Sequence, residues 1–206
     1  MDKFSIYEFM SFFLPGVLVC FIALQLLPSS FLFFKTVSEF LDGLLFTIAS
    51  LITGLVLHRI TFLLLRFTRY EKLMIQPISE IILNNDDFLR DNFELLNKKY
   101  NKKGLTAEKL FSKAYYYLEF HDKIATSKIF QSMYFFLRNI ISVIFIVTPI
   151  LIVLIVVAKD ASFILKLLVF NIVALPLLVY TARFYRVKMV DRVFNTYLIS
   201  KECKQN

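Results

Sequence analysis

Histidine, cysteine and glycine are scarce in this chain, and each scarcity removes a class of chemistry. Neither of the two histidines, His58 and His121, has a cysteine or carboxylate at zinc-site spacing, so no metal centre is expected. The two cysteines, Cys20 in an apolar run and Cys203 in the tail, fall at very different depths, and both are expected as free thiols. Four glycines form no Walker-type, nucleophile-elbow or dinucleotide pattern, and no G-x-x-x-G helix pair. The nearest acid and base cluster, Glu119, His121 and Asp122, has no recognisable nucleophile, and neighbouring helical positions splay apart. Neither enzymatic activity nor a cofactor is expected.

Apolar residues are abundant instead. Of 206 residues 58% are hydrophobic, 24 are Phe, and mean hydropathy is +0.65, which exceeds what a soluble core of this size needs. The formal charge of +8 comes from Lys and Arg that avoid the longest apolar runs. A span requires roughly 20 mainly apolar residues to cross a hydrocarbon layer ~30 Å thick. Four segments qualify: Phe9 to Leu27, Leu41 to Leu65, Ile140 to Ala158 and Phe163 to Ala182. Ser5 and Glu8 have the spacing of a capping box at the start of the first. The short basic start, the long apolar run and Pro28-Ser29-Ser30 do not fit a cleaved signal peptide, so this span is read as retained.

The expected fold is therefore all-α: a polytopic membrane protein with four transmembrane helices and a helical cytoplasmic cap. It divides into a first hairpin (1–66), a basic cap (67–138), a second hairpin (139–182) and an amphipathic C-terminal helix (183–206). Arg66, Arg69, Lys72, Lys123, Lys128, Arg138, Arg183, Arg186, Lys188 and Arg192 flank the spans on one side, against Lys35, Lys159 and Lys166 on the other. This places both termini and the cap in the cytoplasm by the excess of positive charge.

Within the spans, Pro15, Pro149 and Pro176 each remove a backbone hydrogen bond and are candidate hinges or packing devices. Gly16 and Gly54 mark close helix approach. His58 and Arg59 interrupt the second span near its cytoplasmic end. They read as an interfacial anchor, with Arg59 snorkelling to the headgroups, or as groups on the bundle interior or an aqueous path. Gln25, Thr53 and Asn171 are further polar candidates, mainly for interhelical hydrogen bonds.

In the cap, an apolar stretch from Pro77 to Leu83 leads to a turn at Asn84 to Asp87, a helix to Tyr100, and a stop at Gly104. Thr106 caps a helix whose Leu110, Phe111, Ala114, Tyr115 and Leu118 share one face. A helix from about Thr126 runs into the third span without a stop, joining the cap rigidly to the membrane. Val187, Val190, Phe194 and Tyr197 recur at 3-4-3 spacing in the tail, for docking on the cap or on a neighbouring subunit. Lys98, Lys99, Lys102, Lys103, Lys109 and Lys113 are candidates for contact with a partner, RNA or anionic lipid, and Tyr115, Tyr116 and Tyr117 would add stacking where exposed.

Tyr7-Glu8 before Leu14-Pro15-Gly16, Gly54 with His58, and Tyr134-Phe135-Phe136-Leu137-Arg138-Asn139 entering the third span carry a resemblance. The layout resembles small bacterial four-span proteins associated with phage defence, and among them the accessory membrane protein of type VI-B CRISPR loci. That resemblance implies an inner-membrane accessory that modulates an RNA-guided ribonuclease or changes the membrane after RNA recognition. Three functions are thus expected to compete: an oligomer that forms or gates a pore, an anchor that docks a cytosolic nuclease or other partner, and a small membrane-embedded enzyme. Direct nucleic-acid contact is the lesser expectation for the cap.

Overall fold

The computed structural model describes residues 9–26, 39–67, 76–84, 87–100, 104–157 and 161–203. Every element there is helical, with no strand among the described residues. A π-helical turn, Phe9–Phe13, leads into α1, Leu14–Leu26. α2 spans Glu39–Phe67, α3 Ile78–Asn84, α4 Asp87–Tyr100 and α5 Ala107–Phe120. Two long helices complete the chain, α6 over Ala125–Val157 and α7 over Ser162–Glu202. α2, α6 and α7 are long and apolar enough to cross a membrane, whereas the apolar helix at Phe9–Leu24 is shorter. The Ser5–Glu8 capping box lies outside the described residues.

Two compact units share the chain: Met1–Thr68 with Ser132–Ala182, and Arg69–Gln131 with Arg183–Asn206. The units change over at 68, 131 and 182, and the C-terminal segment shares the second unit with Arg69–Gln131. α6 begins at Ala125 and continues to Val157, as its unbroken periodicity predicts. Both α6 and α7 run through their prolines, Pro149 and Pro176, as helices.

In the first unit the outward faces are apolar. Ile52, Phe62, Val153, Phe170 and Leu177 are all more than half exposed, the inverse of a water-soluble surface. α1 and α2 meet at two glycines. A Cβ on Gly16 would overlap the Ser50 carbonyl oxygen, and one on Gly54 would overlap that of Phe12. Close approach of small residues is how helices pack where lipid removes the hydrophobic drive. Their i, i+38 separation hides the pairing from any local motif.

The second unit has a core of the water-soluble kind. Ile78, Ile81, Leu96, Leu110, Ala114 and Leu118 of α3 to α5 pack with Val190, Val193 and Phe194 of α7. The buried Ile, Leu, Val and Phe side chains contribute about 1.5–3 kcal/mol each. The 3-4-3 stripe of α7 therefore docks on α3–α5 within the chain. Thr106 accepts from the Lys109 N–H at 3.5 Å as the α5 N-cap. At the other end Lys123 N–H reaches the Leu118 carbonyl and Asp122 N–H that of Glu119, a Schellman closure with Asp122 at φ +53° where glycine is usual.

Two outcomes follow. Gly54→Ala should destabilise the first unit by about 1–3 kcal/mol, because the obstructing atom is backbone and cannot yield. It should also raise the labelling rate of Cys20 by a membrane-permeant thiol reagent in a Cys203→Ser background. Unchanged labelling and melting temperature would remove the glycine contact. Asp122→Gly should stabilise the second unit by about 1 kcal/mol by relieving the left-handed backbone, read as a higher melting temperature of the whole protein in nanodiscs.

Candidate functional site

The site begins with a missing proton. Pro15 has no N–H and its ring presses on the carbonyl four residues earlier, that of Ser11. The backbone widens over Phe9–Phe13 into a π-helical turn, and the Ser11 carbonyl accepts instead from Asn139 Nδ2 of α6 at 2.6 Å. A neighbouring helix thus re-satisfies the group that proline released. The bond also fixes the register of α6 against the π-turn.

That register sets Arg138 beside His58. Arg138 Nη2 lies 3.1 Å from His58 Nδ1, and Asn139 Nδ2 lies 3.3 Å from the same nitrogen. A guanidinium is always a donor, so the imidazole contributes a lone pair. Arg138 is 1% exposed. Its guanidinium carbon lies 4.4 Å from the centre of the Phe135 ring, 4.8 Å from Phe62 and 5.9 Å from Tyr134. The His58 ring meets Phe12, Phe62 and Phe135 edge-on, with centroids 4.8, 6.1 and 5.6 Å away. Phe62 and Phe135 therefore serve both polar groups.

Magnitudes explain how the cation is tolerated. A desolvated cation–π contact contributes about 2 kcal/mol, and the ~2.5–3.5 kcal/mol that insertion scales give for an Arg at the centre of a span is an upper bound for one nearer its end. The two nearest rings together, at ~4 kcal/mol, are enough to offset that penalty. Counting along the helices, His58 and Arg138 each lie about 28 Å from the far ends of α2 and α6, at Glu39 and Val157, from the helical rise. The two polar groups share one level. Around them, Ser11, Ser50, Thr61 and Ser142 are buried as well, giving the inner faces a polar seam.

The other sequence candidates separate. Arg59 is exposed on the outer side of α2, so the adjacent His58 and Arg59 part, one inward and one outward. Thr53 accepts from the Cys20 thiol at 3.7 Å, and Asn171 is buried on α7. Gln25 is on α1, but its side chain lies outside the described residues, as do Lys102 and Lys103. Pro15 lies in the first turn of α1, directly after the π-turn, whereas Pro149 and Pro176 lie within long helices. Arg138, counted in the sequence as a flanking surface charge, is instead the most enclosed cation of the first unit's described residues. Tyr134 and Phe135, four and three residues before it on the same helix, are the signal for its cage.

In the second unit, Lys98 and Lys99 are exposed in the last turn of α4, and Lys99 pairs with Glu202 at 3.0 Å. Lys109 and Lys113 are exposed on α5 in line with Tyr116 and Phe120, which are 68% and 86% exposed. Tyr115 donates to Gln131 at 2.8 Å, and burial raises its phenol above the ordinary range. Tyr117 stacks on His121 at 4.2 Å and lies under Lys201. Only Tyr116 of the three tyrosines is therefore open for stacking. Glu119 pairs with Lys128 at 3.0 Å, His121 Nδ1 lies 2.8 Å from the Tyr117 carbonyl, and Asp122 closes α5, so the three residues of the acid and base cluster have separate local partners. The backbone N–H of Glu108 itself, followed by the N–H and hydroxyl of Ser79, holds the Glu108 carboxyl below its usual range.

No protein-family model, curated protein or solved structure matches the chain.

A double-mutant cycle tests the proline gap. Asn139→Leu should cost about 1–3 kcal/mol in the native background, the range for leaving a buried acceptor unmet. In Pro15→Ala the restored N–H can satisfy Ser11 locally, so the same substitution should cost measurably less. Equal costs in thermal unfolding of the reconstituted protein would show that Asn139 does not fill the gap.

Proposed function

We propose that the protein is a non-enzymatic accessory or effector of the bacterial inner membrane. In this reading α1, α2, α6 and α7 supply four spans, the N- and C-termini are cytoplasmic, and the second unit is the cytoplasmic cap. Protomers assemble into a homo-oligomer whose spans open a pore or perturb the bilayer when the cap receives a signal. The resemblance noted above assigns that signal to antiphage, CRISPR-associated defence.

The observation that supports this most is Arg138, enclosed beside His58 and Asn139 in a unit whose outward faces are apolar. A cation enclosed within a spanning unit, rather than reaching out to the headgroups, marks a span with work besides anchoring. Aromatic contacts and hydrogen bonds to neutral partners hold the cluster closed. The buried hydroxyls of Ser11, Ser50 and Thr61 are groups that water or a second helix arrangement would engage.

A second reading, docking of a cytosolic nuclease or other partner, has its own support. Lys109, Lys113, Tyr116 and Phe120 form one outward face of α5, basic at one end and aromatic at the other. Loss of partner retention in Phe120→Ser with leakage intact would separate this role from a pore.

Reconstituted protein should be oligomeric and should release dye from liposomes or conduct in planar bilayers. Arg138→Leu should abolish that release while Arg138→Lys retains part of it, and Arg59→Leu should leave it near wild type. Protein that stays monomeric and neither conducts nor leaks would end the pore reading. For topology, cysteines introduced at Ser30 and Asp160 should react from outside with an impermeant reagent in a background lacking Cys20 and Cys203. Those introduced at Asn101 and Asn206 should not, and inverted labelling would reverse the orientation.

A further inference from the structure

The first unit has a lateral recess that the polar cluster does not use. It has a volume of about 160 Å³ and is walled by Val19 of α1, Val56, Leu57 and Ile60 of α2, and Val143 and Ile146 of α6, with no polar surface. Thr53 also borders it, with its hydroxyl engaged by the Cys20 thiol. Leu57 and Val143 are 4% and 3% exposed, whereas Val56, Ile60 and Ile146 at the rim are 51%, 38% and 37% exposed. The space is walled within and open on its flank.

We propose that this recess is a binding site for an anionic phospholipid, with a segment of one acyl chain in the recess and the phosphate on Arg59. An apolar hole of ~150 Å³ stays dry and admits a benzene-sized hydrocarbon, so hydrocarbon rather than water is the matching occupant. Placing hydrocarbon at the open flank rests on the membrane reading above. The charged end is on the same helix. Arg59 follows Val56 by three residues, adjoins Ile60 and is exposed.

It lies about 30 Å along α2 from Glu39, one hydrocarbon thickness, where headgroups begin. Its long stem can extend toward that level, and a guanidinium meets phosphate oxygens with two parallel hydrogen bonds. Free phosphate would match Arg59 but leave the recess empty. A lipid without net charge would fill the recess and gain less from Arg59. The two features together select an anionic lipid of the phosphatidylglycerol type. Its chain would form part of the wall between α1, α2 and α6.

The test uses the whole protein in mild detergent, with phosphatidylglycerol or phosphatidylcholine added and bound lipid counted by native mass spectrometry. Wild type should retain one phosphatidylglycerol per chain and prefer it by about tenfold, a charge-assisted contact's worth of affinity. Val56→Phe and Ile146→Phe, which fill the recess from its exposed rim, should each lose both lipids while keeping the wild-type melting temperature. Arg59→Gln should keep the lipid and lose the preference. Undiminished retention in both filled variants would reduce the bound molecule to annular lipid and overturn the proposal. It would equally fail if wild type bound no lipid, and a change in the number of subunits in Val56→Phe would then give the recess to a second copy. Release of the chain from membranes by alkaline carbonate would count against the membrane reading instead.

Discussion

A buried backbone carbonyl without a donor is costly, and Pro15 creates one at Ser11. Asn139 answers it at 2.6 Å, and much of the first unit's interior follows from that bond. The answering residue must come from another helix, so α6 is held against the π-turn at one register. Arg138 then falls beside His58, and the aromatic residues around both are shared between them. Gly16 and Gly54 set the other contact of the π-turn and α1, against α2. Proline and glycine, poor residues for a helix in water, here specify where helices meet.

The two units are built on opposite solvent rules. In the first, large apolar side chains face outward and the polar seam lies within. In the second, Leu96, Leu110, Leu118 and Phe194 are enclosed and the lysines face out. α6 and α7 contribute to both. Composition averaged over either long helix therefore blurs two environments, and only the local pattern separates them.

Much of the helical outline was legible because periodicity and apolar run length are local properties. The extent of α4, the Thr106 cap and the 3-4-3 stripe of α7 could be read from neighbours in sequence. What escaped depends on partners far along the chain. Arg138 reads as a flanking charge until Phe62 and His58 arrive from α2, and His58 and Arg59 read as a pair until the helix turns them about 100° apart from its 3.6-residue period. The π-turn was hidden for a similar reason. Pro15 announces a broken bond, but only the tertiary fold shows that Asn139 replaces it.

The composition of the second unit's core has a consequence for biosynthesis. Ile81, Leu96, Leu110 and Leu118 are covered by Val190, Val193 and Phe194, which are made about sixty residues after the first segment ends. At ~5–20 residues per second, the early segment waits some 3–12 seconds for its complement while the intervening helices are being synthesised. During that interval its apolar face has no covering from its own chain. Translation speed through α6 and α7, and access of chaperones to residues 69–131, therefore govern the yield of folded protein independently of its final stability.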